Sequence, residues 1–287
     1  MHRPIVILNP AAKGEKAGQM QRRIEALHPK PVIRLTAGPG DAEALAERAV
    51  EQGYTTIIAA GGDGTVNEVV NGMAGSDASL GLLPSGTMNV FATELGLPPD
   101  LAACWKVIQE GHTRLVDLPK VNDQHFVQLA GVGFDAQIVL ETERDFRKNF
   151  GPLSYLVVAA QIAARTPPRL RVELPDGTTY QGSFVLIGNG RHYGGPFVFF
   201  KNAKIDDRKL DVMVFGKTGH IDILRYLQGI FFGDPAAMKD VDYFQTSKLQ
   251  ISCDTKVPLE VDGELAGFLP AHFSIARKKL RVFTPQA

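Results

Sequence analysis

The sequence predicts two unlike halves: an α/β N-terminal domain built on a parallel sheet over residues 1–117, then a β-rich domain over residues 118–287. Three observations carry this. Up to Asp117, short apolar runs alternate with segments of helical period, the pattern of a parallel sheet with helices on its faces. Beyond it, apolar runs follow one another with turn residues between them, as antiparallel strands do. A length of 287 residues accommodates one large domain or two modest ones.

Residues 4–8 (PIVIL) read as a buried first strand, and 17–28 as a helix with Met20, Ile24 and Leu27 at helical spacing. Residues 32–35 form a second strand. Residues 41–53 form a helix with Asp41 as N-cap and Gly53 as stop. Residues 56–60 (TIIAA) are apolar and β-branched, as a central strand should be. Thr65 then starts a helix, and Glu68 three residues on has the spacing of a capping box. Residues 80–83 lead into PSGTMN and a further helix. In the second half, 118–131 read as a hairpin around Asn122-Asp123, and 170–189 as one turning at Pro175-Asp176-Gly177. KLDVMVF, SKLQISC, VPLEVDGELAG and HFSIARKKLRVF add strands, with short helices expected near 135–146, 151–164 and 220–232. The extreme C-terminus is a candidate to return to the first domain.

Composition narrows the function. Lys+Arg and Asp+Glu both number 31, so the basic signature of a nucleic-acid partner is missing. Cys104 and Cys253 offer neither metal-ligand spacing nor a disulfide framework, so a reducing cytoplasm is expected. The most apolar run, 155–164, is about half the length needed to cross a bilayer, and Gln161 breaks it. The four-residue apolar core near the N-terminus is too short for a signal peptide.

The stretch AAGGDGTVNEVVNG (59–72) follows the expected central strand. Loops at the carboxyl ends of such strands bind ligands. Gly61, Gly62 and Gly64 permit close approach of a ligand, and helix N-termini favour phosphate. Asp63, expected in a solvent-facing loop, has the wrong sign for a bare phosphate. A divalent cation between acid and phosphate removes the conflict, which points to a Mg²⁺–nucleotide site. The dinucleotide pattern fails, because Asn67 stands where the third glycine belongs. GVGFDA (131–136) lacks the downstream acid, and GKT (216–218) lacks the upstream glycine of a P-loop, with Asp211 in its place.

Together, LNPAAKG, GGDGTVNEVVNG, LPSGTMNVFATELGLP, GVGFDA, GNGRHYGG and VDGELAG resemble, in order and over nearly the whole chain, the diacylglycerol kinase catalytic-domain family. This group includes soluble bacterial diacylglycerol kinases and sphingosine kinases. The resemblance implies an NAD kinase-like α/β domain that holds ATP and a β-sandwich domain that supplies the lipid cleft. It implies an ATP- and Mg²⁺-dependent lipid kinase, cytoplasmic and transiently at the membrane surface, with diacylglycerol or a similar lipid as acceptor. Homodimerisation is left open.

Carried over residue by residue, the nucleotide-binding positions are Asn9, Thr36, Gly61, Gly62, Asp63, Gly64, Thr65, Val66, Asn67, Glu68, Gly86, Thr87 and Asn89. Glu264 resembles the proton acceptor, with His192 as an alternative, and Asp63 and Asp117 resemble members of the catalytic Mg²⁺ network. A second, structural Mg²⁺ is implied at Asp207 with the carbonyls of Lys204 and Lys209. Two departures stand out. Arg208 replaces the glycine usual after that acid, and would be strained if the position needs positive φ. Val90 replaces the aspartate usual after GTxN. An NAD kinase-like phosphotransferase and a catalytically weak nucleotide- or lipid-binding regulatory module stay open as alternatives. Residues 142–156 mix Arg144, Arg147 and Lys148 with Phe146, Phe150 and Tyr155, a composition that suits an interfacial segment or an amphipathic helix packed on its own domain.

Overall fold

The structure, a computed structural model, describes residues 3–10, 15–133, 167–195, 197–217 and 235–286, with isolated positions 136, 137, 219, 222, 225, 226, 228 and 229. The expected helices near 135–146, 151–164 and 220–232, and the candidate interfacial segment 142–156, lie outside the described residues or nearly so.

The α/β half is a six-stranded sheet. In sequence order its first elements are β1 (Ile5–Leu8), α1 (Glu15–Glu25), β2 (Val32–Leu35), α2 (Asp41–Glu51), β3 (Thr56–Gly61), α3 (Asp63–Met73) and β4 (Ser79–Pro84). Strands β1 to β4 run parallel in the spatial order β2-β1-β3-β4. Each strand of TIIAA type is buried on both faces, so it reads as a continuous apolar run. Ile57 and Ala59 join Val66, Val70 and Ala46 on one face. Ile58 and Ala60 join Ile24, Trp105 and Ile108 on the other. Each fully buried large aliphatic side chain here contributes about 1.5–3 kcal/mol.

The single helix expected after PSGTMN is two, α4 (Val90–Glu94) and α5 (Leu101–Glu110). Gly96 at φ 68° and Pro98-Pro99 break the run. Asp100 caps α5 by accepting from Ala103 N at 3.1 Å. Asp41, expected as the cap of α2, is its first helical residue, and Gly40 precedes it in the left-handed region. The Asp41 carboxylate turns back to the N–H groups of Ala37 and Gly38.

Beyond β5 (Thr113–Val116) the chain enters an antiparallel sandwich. One sheet has the order β10 (Thr179–Gly182), β9 (Leu170–Glu173), β16 (Lys248–Ser252), β19 (Ala271–Ile275), β6 (Pro119–Val121), β7 (Gln124–His125). The other runs β15 (Val241–Thr246), β14 (Leu210–Phe215), β11 (Phe184–Gly188), β8 (Leu129–Val132), β17 (Pro258–Val261), β18 (Glu264–Phe268). Val172, Ile251 and Phe273 from the first meet Val185, Val212 and Leu259 from the second in one core. The two expected hairpins form, at Asn122-Asp123 and around Gly177. The strand run after the second is divided, because Ser183 hands the chain from one sheet to the other.

The last described strand, β20 (Leu280–Phe283), lies in the α/β sheet between β4 and β5, parallel to the first and antiparallel to the second. The chain therefore crosses between the two halves twice, near 116–119 and near 275–280.

Helices α2 and α3 pack closely at Gly72, where an added Cβ would lie 2.2 Å from the Glu43 carbonyl oxygen and 2.9 Å from Ala46 Cβ. Backbone cannot yield as a flexible side chain can. Gly72→Ala is expected to lose about 1–3 kcal/mol despite the better helix propensity of alanine. A urea midpoint at or above wild type would contradict this packing.

Candidate active site

Strand β3 ends at Gly61 and α3 begins at Asp63, so Gly62 alone makes the turn. The first-turn N–H groups of α3 have no partners within their own helix and concentrate partial positive charge at the carboxyl end of the sheet. The loop after β4 comes alongside. Ser85 N donates to Gly61 O at 2.9 Å. A Cβ on Gly86 would lie 2.6 Å from Gly62 Cα, so only glycines let the two loops meet. Asn89, at φ 48°, closes the second loop by accepting from Gly86 N at 2.9 Å and donating to Gly86 O at 2.8 Å. Thr87 is exposed at its tip.

Asp63 is half-buried rather than solvent-facing, because it caps the neighbouring helix: Val90 N donates to its Oδ1 at 2.7 Å. The departure at Val90 thus leaves the backbone contact in place. Burial, and next the charge of Asp262, push the Asp63 carboxyl up to about 6, against the N–H groups of Val90, Phe91 and Asn89 that favour its ionised form.

Several expected nucleotide residues are supports of this loop. Asn9 donates from Nδ2 to Thr65 Oγ1 at 3.0 Å, tying β1 to α3. Thr36, Thr65, Val66 and Asn67 are buried. The capping box does not form. The helix starts two residues before Thr65, and the Glu68 carboxylate instead accepts from Gly40 N and Ala42 N at the start of α2.

The second domain meets this loop at the turn between β17 and β18. Asp262 at φ 50° and Gly263 at φ 86° make a two-residue turn with both central residues left-handed, the geometry Asp-Gly favours. Asp262 turns its carboxylate inward. Oδ2 accepts from Asn67 Nδ2 and Val127 N, both at 2.8 Å, and Oδ1 from Gln128 N at 2.9 Å and Leu129 N at 3.1 Å. Burial raises its pKa, and these donors oppose the rise. Glu264 follows directly, half-buried, and its Oε1 would lie 3.6 Å from a Cβ on Gly64. The structure therefore brings together Gly62, Asp63, Gly64, Gly86, Asn89 and Glu264, residues 202 positions apart at the extremes.

A second junction lies beside it. Glu94 Oε2 accepts from Arg191 N at 2.9 Å, His192 N at 3.0 Å and Gln128 Nε2 at 3.0 Å, and lies 2.6 Å from His192 Nδ1. Burial opposes ionisation of Glu94, but the bonds from His192 and Gln128 outweigh it, and the carboxyl is held below its ordinary range. His192 is thus fixed to α4, while Gly195 of the same loop approaches Met88. Sequence reasoning missed Glu94, Gln128 and the inward role of Asp262. The Asp-Gly turn was the one signal available for the last.

Asp117 shares no hydrogen bond or ion pair with Asp63 among the described residues. It is buried, and its partners are Arg208, through backbone N and Nε, and Lys279 Nζ at 3.1 Å. Asp207 closes the turn before β14 by accepting from Lys209 N at 3.0 Å, and its own N donates to Lys204 O at 3.4 Å.

The two halves of this site correspond to two known domains. Residues 3–121 match the family described as diacylglycerol kinase catalytic domain, and residues 128–284 the YegS C-terminal NAD kinase beta sandwich-like domain. A diacylglycerol kinase of Staphylococcus aureus is 34% identical over 251 residues, which cover 86% of this chain and 79% of that one. The chain belongs to the diacylglycerol kinase family. It is a lipid kinase. A crystal structure of a diacylglycerol kinase from Bacillus anthracis str. Sterne superposes with TM-score 0.80 at 26% identity, over 99% of this chain and 97% of that one. A second structure from the same organism gives 0.80 at 25% identity, with the same coverage of each chain. Among the described residues of this kinase, no helix is long and apolar enough to cross a membrane.

Removing the Asp262 carboxylate takes one of two acceptors from the Asn67 amide and strands three backbone N–H groups at the domain junction. Asp262→Ala is expected to lose about 3–5 kcal/mol. Chemical denaturation followed by tryptophan fluorescence and by circular dichroism measures it, and a midpoint within error of wild type would remove Asp262 from this role.

Proposed function

We propose that this kinase transfers the γ-phosphoryl group of ATP to a hydroxyl of diacylglycerol or a closely similar lipid, with Mg²⁺. The observation that carries the reading is Glu264 against Gly64: a carboxylate from the β domain stands at the phosphate-favouring N-terminus of α3. An acceptor hydroxyl within reach of Glu264 is then next to a phosphoryl group held by the Gly62–Gly86 loops. Glu264 accepts the hydroxyl proton, and the backbone N–H groups of the α3 turn hold the phosphates in line.

The donor set fits a divalent cation at Asp63. Its carboxyl is pushed up to about 6 by burial and by the nearby charge of Asp262, a cost that a cation relieves. Asp262 is saturated by four donors, so Asp63 is the ligand and Asp262 the support. When bound there, Mg²⁺ neutralises charge on the transferring phosphates. Asn89 and Gly86 shape the adjoining loop, and Thr87 at its exposed tip is available to the nucleotide.

Strand β18, which begins at Glu264, exposes Leu265 and Phe268. A bulge opposite Leu259–Glu260 pairs them with Glu260 and Pro258, two residues apart, so both lie on one face, and Glu264, paired with Val261, starts the other. The deciding assay incubates the protein with labelled ATP, Mg²⁺ and a total lipid extract and identifies the product. Labelled phosphatidic acid is expected, and no labelled lipid, or label in NAD supplied in a parallel reaction, would overturn the reading.

Two substitutions test the roles. Asp63→Asn keeps an acceptor for Val90 N and so the fold, but loses the metal-binding charge. Turnover is expected to fall below detection with an unchanged circular dichroism spectrum, and substantial Mg²⁺–ATP activity would sink the assignment. Glu264→Gln is expected to lower kcat by about 10²–10⁴-fold while ATP affinity barely changes. A rate within a few-fold of wild type would leave Glu264 as a plain hairpin acid.

A further inference from the structure

The second, structural Mg²⁺ that the resemblance implies at Asp207, Lys204 and Lys209 does not fit the residues present. Asp207 already uses one carboxylate oxygen on Lys209 N, and Lys204 O accepts from Asp207 N. An open cleft of about 940 Å³ lies against this turn, and five of its lining side chains are lysine or arginine against three carboxylates. A divalent cation entering there meets an excess of positive charge.

The chain supplies cations of its own. Arg208 stands at φ 65°, the left-handed conformation that glycine would adopt without strain. It is held there at both ends. Its backbone N donates to Asp117 Oδ2, Nη1 donates to Ala276 O at 2.8 Å, and Nη2 to Arg277 O at 3.0 Å. Its Nε lies 3.4 Å from Asp117 Oδ1, and Lys279 Nζ lies 3.1 Å from the same oxygen. Lys279 Nζ also donates to Asp206 O at 2.7 Å. Asp117 is buried, and a buried carboxylate persists only when paired.

These residues sit where the chain crosses between its halves. Asp117 is in the outward crossing, and Ala276, Arg277 and Lys279 are in the return. The crossings also bond to each other, through Ala276 N to Leu118 O at 2.8 Å, and the turn joins them through Asp117 N to Ile205 O at 2.7 Å. We infer that Arg208 and Lys279 form a metal-free clamp on Asp117 that fastens both interdomain crossings to the Lys204–Lys209 turn, in place of a structural divalent cation. The strained arginine is retained because its guanidinium reaches three groups that a glycine cannot.

The test uses the full chain without nucleotide and measures thermal unfolding in EDTA and in millimolar Mg²⁺. Wild type is expected to melt at the same temperature in both. Any Mg²⁺-dependent rise should persist in Asp207→Ala, since it then belongs to Asp63. Arg208→Gly and Lys279→Met, each in EDTA, are expected to melt about 4–8 °C lower, the shift for losing a partner of a buried charge in a chain of this size. A Mg²⁺-dependent rise in wild type that Asp207→Ala abolishes would put a metal in the turn and overturn the inference. So would wild-type melting of both Arg208→Gly and Lys279→Met. If Arg208→Gly does not fold, the wild-type metal comparison and Lys279→Met still decide.

Discussion

The carboxylate of Asp262 is the contact on which the catalytic arrangement depends. It draws one amide from α3 and three consecutive backbone N–H groups from the entry to β8 onto a single acid. Those donors belong to both halves of the molecule. The Asp-Gly turn fixes the backbone at residues 262 and 263, and with it where the next residue, Glu264, starts. The backbone of residue 264 is thus held against the start of α3 by hydrogen bonds to its neighbour Asp262.

The same carboxylate has an electrostatic consequence. It lies close enough to Asp63 to raise that group's pKa, so the unliganded site holds two acids that repel. Asp262 is compensated by fixed donors. Asp63 is compensated partly by the start of α4, a helix of five residues. The remaining imbalance is what a cation between protein and phosphates can use. An isolated glycine loop would bind phosphate from its backbone alone, whereas on the function proposed above the acid makes occupancy depend on the metal.

The alternation of strand and helix in the first half was legible because each central strand is buried on both faces and each helix on one. The Asn122-Asp123 and Asp262-Gly263 turns were legible because few residue pairs tolerate left-handed backbone. The capping box at Thr65 was misread: its spacing matches, but the helix starts at Asp63 and Glu68 finds its donors on α2, a tertiary contact that local pattern does not contain. The junctions at Glu94 and Asp262 were invisible for a similar reason. Their partners lie 34 to 195 positions away, and a single acid in a loop carries no mark of being buried by them. Arg208 could be flagged from sequence as a strained substitution, but its compensation by Asp117 and two carbonyls required the fold.

The position of β20 bears on how this chain is made. Between Val116 and Leu280 the ribosome must deliver the whole sandwich, and until then the gap between β4 and β5 is unfilled. Until β20 arrives, β4 has one unpaired edge and β5 has no partner in this sheet. The α/β half therefore cannot complete its sheet before the β-rich half has been synthesised, although most of its residues emerge first. Translation order and folding order run in opposite senses here. A nascent chain stalled in the sandwich carries a parallel sheet whose β4 edge is open to wrong partners, so the emerging chain needs shielding longest for the half that is translated earliest.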